Sequence, residues 1–129
     1  MAERFTQHYT VEQARQMLPR LRALLDQLEA SVASTRANEQ EVTPLTSVGV
    51  DVGGAHVNAL LRSLADAQQI LRYFQESEIQ IKDLDRGLID FPALIDGREV
   101  FLCWEKCEDD LCFFHDIESG FDGREPLPE

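Results

Sequence analysis

The stretch LIDFPALIDGREVFLCWE, Leu88–Glu105, decides the fold, because two apolar runs flank the pair Asp96-Gly97. Asp and Gly both tolerate positive φ, which a two-residue hairpin turn requires, so this pair joins two antiparallel strands and sets their register. With Ile95 opposite Arg98, the pairs run Ala93 with Val100, Phe91 with Leu102, Asp90 with Cys103 and Ile89 with Trp104. Alternation then places Ile89, Phe91, Ala93, Val100, Leu102 and Trp104 on one apolar face, with Trp104 as a core anchor. Asp90, Pro92, Phe101, Cys103 and Glu105 fall on the other.

Outward from this hairpin the period of two continues. Ile79 and Ile81 alternate with Gln80 and Lys82, Leu111 to Ile117 reads as a further strand, and the brackets Asp85-Arg86-Gly87 and Lys106 to Asp110 read as turns. Residues 78–129 therefore form an antiparallel meander of about four strands. Gly120-Phe121-Asp122-Gly123-Arg124 reads as a turn in which Phe121 caps the core and Arg124 pairs with a carboxylate.

Upstream the spacing changes to threes and fours. Thr10-Val11-Glu12-Gln13 has the form of a capping box, which starts a helix. Val11, Ala14, Leu18, Leu21, Leu25, Leu28 and Val32 then follow a heptad seam, widened by Met17 and Leu24. Pro19 lacks an N–H and clashes with the preceding turn, so the helix is expected to kink there without ending. Residues 36–55, with Asn38, Pro44, Gly49, Gly53 and Gly54, read as a long loop. A second helix carries Val57, Leu60, Leu64, Ala67, Leu71 and Phe74, with Leu61 and Ile70 alongside, and runs to about Ser77. The expected class is α+β: one domain in which a long antiparallel helix hairpin over 10–77 packs on the meander.

A helix from Thr10 to Ser34 is about 37 Å long at 1.5 Å per residue, more than a small sheet covers. The uncovered apolar length predicts a homodimer in which two hairpins make a four-helix bundle.

The 129 residues carry a net charge of -12, concentrated after residue 77, where five Lys/Arg face fifteen Asp/Glu. Such a field repels nucleic acid and anionic lipid, whose binding needs clustered Lys/Arg, and leaves cations or a basic protein as partners. No run is apolar enough for a membrane span or a signal peptide, so a cytoplasmic protein is expected. Three cysteines in a reducing compartment are free thiols, ligands or core fillers.

The N-terminal FTQHYTVEQARQMLPRLRALL and the C-terminal IKDLDRGLIDFPALIDGREVFLCWEKCEDDLCFFHDIESGFDGREPL carry a resemblance. Lys82-Asp83, Gly87-Leu88, Asp90-Phe91-Pro92-Ala93, Gly97-Arg98, Leu102-Cys103-Trp104, Glu108, His115, Gly120-Phe121 and Gly123-Arg124 match the pattern of the bacterial domain of unknown function 2203 family. Cys107, Glu105 and Phe114 depart from it, where the family usually has glycine, a basic residue and tryptophan. The resemblance implies a small bacterial cytoplasmic protein of helices and a sheet. It implies no activity.

Four soft or borderline ligands, Cys103, Cys107, Cys112 and His115, lack the tight CxxC spacing of a structural zinc knuckle. A second metal set, Asp90, Cys103 and His115 with Glu108 nearby, begins from the cross-strand pairing of Asp90 with Cys103. His115 shares its parity with Leu111, Phe113 and Ile117, so it is expected to point into the apolar layer unless a bulge re-aims it. Thiol catalysis is disfavoured, because the surrounding carboxylates raise the cysteine pKa values. Gly49 to Gly54 lacks the Lys and Ser/Thr of a phosphate loop and reads as a turn. The composite expectation is a non-enzymatic homodimeric binding or adaptor protein with an acidic sheet surface and no cofactor. The alternative is a zinc- or iron-binding protein, or a metal-dependent enzyme, centred on Asp90, Cys103 and His115.

Overall fold

The computed structural model describes residues 3–47 and 54–128. The element order is α1 (Val11–Ser47), α2 (Ala55–Ser77), β1 (Gln80–Asp83), β2 (Leu88–Ile95), β3 (Arg98–Glu105), β4 (Phe113–Asp116), a 3-10 turn (Phe121–Gly123) and β5 (Glu125–Pro126). The class is α+β, and the sheet has five strands, one more than the sequence pattern shows. The added strand is two residues long and contains a proline, so it carries no alternation to read.

The capping box forms as expected. Gln13 N donates to Thr10 Oγ1 at 3.0 Å, and Thr10 N donates to Gln13 Oε1 at 3.0 Å. From there α1 runs through Pro19 without ending, and Ala14, Leu18, Leu21, Leu25 and Leu28 are buried along the expected seam. The connection expected over 36–55 is shorter, because α1 reaches Ser47 and α2 begins at Ala55. Ala37, Glu39, Gln40 and Glu41 are good helix formers, and a helix already nucleated propagates through a stretch of weak periodicity. Of the stretch Gly49 to Gly54, expected as a turn, residues 49–53 lie outside the described residues.

The chain divides into two compact units, Leu24–Arg72 and Met1–Ala23 with Tyr73–Glu129. The first of these is a helical hairpin. Its seam on α2 differs from the one expected: Ser63 and Ile70 are buried, whereas Leu64 and Leu71 are 40% and 49% exposed and Leu61 is 59% exposed. Spacings of three and four fit either seam. Ser63 is turned toward α1, where its hydroxyl donates to Ser34 Oγ at 2.8 Å.

In the second unit the strands lie in the order β1-β2-β3-β4-β5, all antiparallel. The hairpin register is the one read from Asp96-Gly97: Ile95 faces Arg98, Phe91 faces Leu102, Asp90 faces Cys103 and Ile89 faces Trp104. Both turn residues have positive φ, 53° and 78°. Ile89, Phe91, Val100, Leu102 and Trp104 are fully buried. Tyr9 meets Phe91 edge-on at 5.8 Å, and the Arg22 guanidinium lies 4.9 Å over the Trp104 ring. Arg22 also donates to the carbonyls of Lys106 and Glu108 at 2.6 and 2.7 Å, tying α1 to the turn between β3 and β4.

Gly87, at φ 66°, has no room for a side chain, since an added Cβ would collide with the Lys106 Cβ. Among the described residues no helix is long and apolar enough to cross a membrane.

Candidate metal centre

The site is built on the sheet face opposite Trp104, and the hairpin register supplies its first two residues. Asp90 on β2 and Cys103 on β3 are direct cross-strand partners, so their side chains leave the sheet side by side. The third comes from β4, where His115 faces Phe101 and Phe113 faces Cys103. His115 therefore stands on the Asp90 side and not in the Trp104 layer, which corrects the expectation from parity. The cause is local: Leu111 is buried but precedes the strand, which begins at Phe113, so its orientation says nothing about that of His115. No bulge is needed on β4.

Ligand-capable atoms of Asp90, Cys103 and His115 all lie within 4.8 Å of one another, the one such group among the described residues. All three residues are buried, at 2%, 0% and 1% exposure. His115 Nδ1 lies 2.6 Å from the carbonyl oxygen of Asp116, which can only accept, so Nδ1 carries a proton. That bond turns Nε2 toward Asp90 Oδ2, 3.0 Å away. A contact of this length needs a single proton between the two atoms, on one or the other. A backbone carbonyl holding Nδ1–H while Nε2 faces the site is the arrangement that orients histidine ligands in metal proteins.

The remaining oxygen, Asp90 Oδ1, is buried without a hydrogen-bond partner of ordinary geometry. The Cys103 thiol, a weak donor, neighbours the same carboxyl group. Burial pushes the Asp90 carboxyl above its usual range, against the opposing pull of His115, Lys82 and Cys103. Burial, followed by the charge of Asp90, pushes the Cys103 thiol up to about 12. Without a cation the protonated thiol is therefore favoured, in line with the case against thiol catalysis. A bound cation reverses both preferences, because it replaces the protons on sulfur, nitrogen and oxygen.

Two covers close this face. At one end Phe5 packs on Phe101 at 5.4 Å between ring centroids, and Phe101 packs on His115 at 5.6 Å. At the other the Arg124 guanidinium lies 3.8 Å over Phe113 and 4.6 Å over Phe121, and Arg124 Nη2 donates to both oxygens of Glu108 at 2.9 and 2.8 Å. Glu108 thus neutralises Arg124 and also accepts the Glu105 N–H at 2.8 Å. It does not join the other three ligands. Cys107 and Cys112 are exposed and likewise stand apart, so the Cys103, Cys107, Cys112 and His115 set does not assemble.

Sequence reasoning missed Phe5, Lys82 and the Asp116 carbonyl. Lys82 alone left a signal, since its alternation with Ile79 and Ile81 sets it on the opposite face from those apolar residues. Its Nζ lies 5.0 Å over the Phe101 ring.

The family described as Uncharacterized conserved protein (DUF2203) matches residues 7–127, and the chain belongs to it. Nothing among curated proteins matches the chain, and nothing among solved structures does.

Proposed function

We propose that the protein binds one transition-metal ion of the zinc or iron class through Asp90 oxygen, Cys103 sulfur and His115 Nε2. The observation that carries this reading is the convergence of three ligand-capable atoms at a buried point beside a carboxylate oxygen with no hydrogen-bond partner of ordinary geometry. A buried polar group without a partner costs roughly 1–3 kcal/mol, more when charged, and a cation removes that cost. A mixed oxygen, nitrogen and sulfur set suits zinc or iron and is too soft for calcium or magnesium. Three protein ligands leave further positions for water or a substrate, as in catalytic zinc sites.

The test is elemental analysis of protein purified without chelator or a histidine tag. Near-stoichiometric zinc or iron is expected in the parent, falling to background in His115→Ala. A metal-free parent, or metal retained in full by His115→Ala, contradicts the proposal.

A second reading concerns assembly. Leu61, Leu64 and Leu71 project from α2 into solvent at helical spacing. Together they support a homodimer through the helical unit, because contiguous exposed leucine stripes mark interfaces. Light scattering at micromolar concentration is expected to give twice the monomer mass, and a monomer contradicts it. The net charge of -12 supports a basic partner for the remaining surface.

A further inference from the structure

We propose that residues 4–7 form a latched strap that shuts the Asp90, Cys103 and His115 centre away from solvent, and that this strap lifts to admit the ion. The inference rests on the metal reading, whereas part of its test does not.

The three ligand residues are buried, so an ion reaches them only through an opening. The strap is the cover best suited to provide one. It belongs to no helix or strand, and the backbone N–H groups of its four residues are held by two carboxylates. Glu99 accepts from Arg4 N and Phe5 N at 2.9 and 3.0 Å. Glu78 accepts from Thr6 N, the Thr6 hydroxyl and Gln7 N at 2.8, 2.6 and 2.8 Å, all on one oxygen. These bonds hold Phe5 on Phe101, whose own ring packs on His115. Segments with few apolar contacts and exposed hydrogen bonds open locally at lower free energy than a sheet core. The Arg124 cover has the opposite character, with two aromatic rings and a bidentate carboxylate around one guanidinium.

The test uses metal-free protein carrying Cys107→Ser and Cys112→Ser, so that Cys103 is the only thiol. Its reaction with Ellman's reagent is expected to accelerate at least about tenfold in Glu78→Ala/Glu99→Ala and in Phe5→Ala, since charge-assisted hydrogen bonds and a half-buried ring each hold the closed form. Glu118→Ala, which removes only the exposed partner of Arg4, leaves the rate unchanged. Hydrogen exchange on the unsubstituted protein is an independent reading that no folding defect can obscure. Amides 4–7 are expected to exchange faster than those of β2 and β3, with little dependence on denaturant.

Zinc uptake by the metal-free parent forms the last arm, with the rate rising in the strap variants and the equilibrium affinity unchanged. Equal thiol rates in the parent and both strap variants, or exchange of amides 4–7 only with the sheet, overturn the strap. A parent that takes up no zinc, with the thiol and exchange results as expected, overturns the metal reading alone.

Discussion

His115 Nε2 stands 3.0 Å from Asp90 Oδ2, although their strands are separated by β3. Backbones two strands apart are about 9.6 Å from each other, so the two side chains lean toward one another above β3. Cys103, the small residue on β3 opposite Asp90, leaves the space for them to meet. This contact makes the centre one coupled unit and not three independent side chains.

Coupling predicts non-additive stability. His115→Ala strands a buried carboxyl and is expected to cost about 3–5 kcal/mol, the usual effect of removing one partner of a buried pair. Asp90→Leu/His115→Leu removes both polar groups together and is expected to cost less than the sum of its single substitutions. Urea unfolding of the metal-free proteins measures both, and strict additivity would show that the contact carries no mutual stabilisation.

The strap latches predict an acid-sensitive component of stability. Hydrogen bonds from the Thr6 hydroxyl and from the Gln7 and Thr6 N–H groups, aided by His8, hold Glu78 below its ordinary 4.5 despite some burial. Burial raises Glu99, but His8 and the N–H groups of Arg4 and Phe5 outweigh it and the net direction is also down. A carboxylate lowered in the folded state contributes stability that is present above its unfolded value and lost as pH falls through the folded one. The window therefore opens near pH 4.5 and extends below it. His8, Arg4, Glu3, Glu118, Arg98 and Asp116 are ionisable groups near the strap among the described residues. Thermal unfolding from pH 7 downward is expected to lose more stability in the parent than in Glu78→Ala/Glu99→Ala. Parallel curves for the two proteins would remove the latches from the account.

Arg22 joins α1 to the β3–β4 turn with two carbonyl hydrogen bonds and a stacked ring. Lysine keeps the charge but cannot reproduce a planar fork on Trp104. Arg22→Lys is expected to cost about 1–2 kcal/mol, comparable to one hydrogen bond to a charged donor. The urea midpoint measures this, and a shift within error would assign the turn's position to other contacts.

At the start of α1, Thr10→Ala removes the hydroxyl that accepts from Gln13 N. The expected loss is about 1 kcal/mol, typical of an N-cap, with the metal content unaltered. An unchanged unfolding midpoint would show that the cap contributes nothing to this helix.

These contacts also show what could be read from the chain alone. Asp96-Gly97 specified a turn type, and the turn specified the hairpin register, so Asp90 beside Cys103 was legible in the sequence. The Thr10 and Gln13 box was legible for the same reason, being local chemistry at fixed spacing. His115 was not. Its orientation depends on where β4 begins after the loop from Lys106 to Cys112, and that loop has no turn signal that fixes a register. On α2, both seams satisfy the same three-four spacing, and the choice depends on how closely Ser63 approaches Ser34, a tertiary fact. The strap has no periodicity of its own, and its two latches stand about 70 and 95 residues away along the chain.

The most direct measurement is a cobalt(II) titration of the metal-free Cys107→Ser/Cys112→Ser protein, followed by optical absorption. Cobalt reports thiolate ligation through a near-ultraviolet charge-transfer band and reports ligand number through its visible bands. The account predicts a charge-transfer band that saturates at one cobalt per chain, vanishes in Cys103→Ser, and changes its visible pattern in Asp90→Asn and His115→Ala. Cobalt that fails to bind, or binds with an identical spectrum in Cys103→Ser, would contradict it.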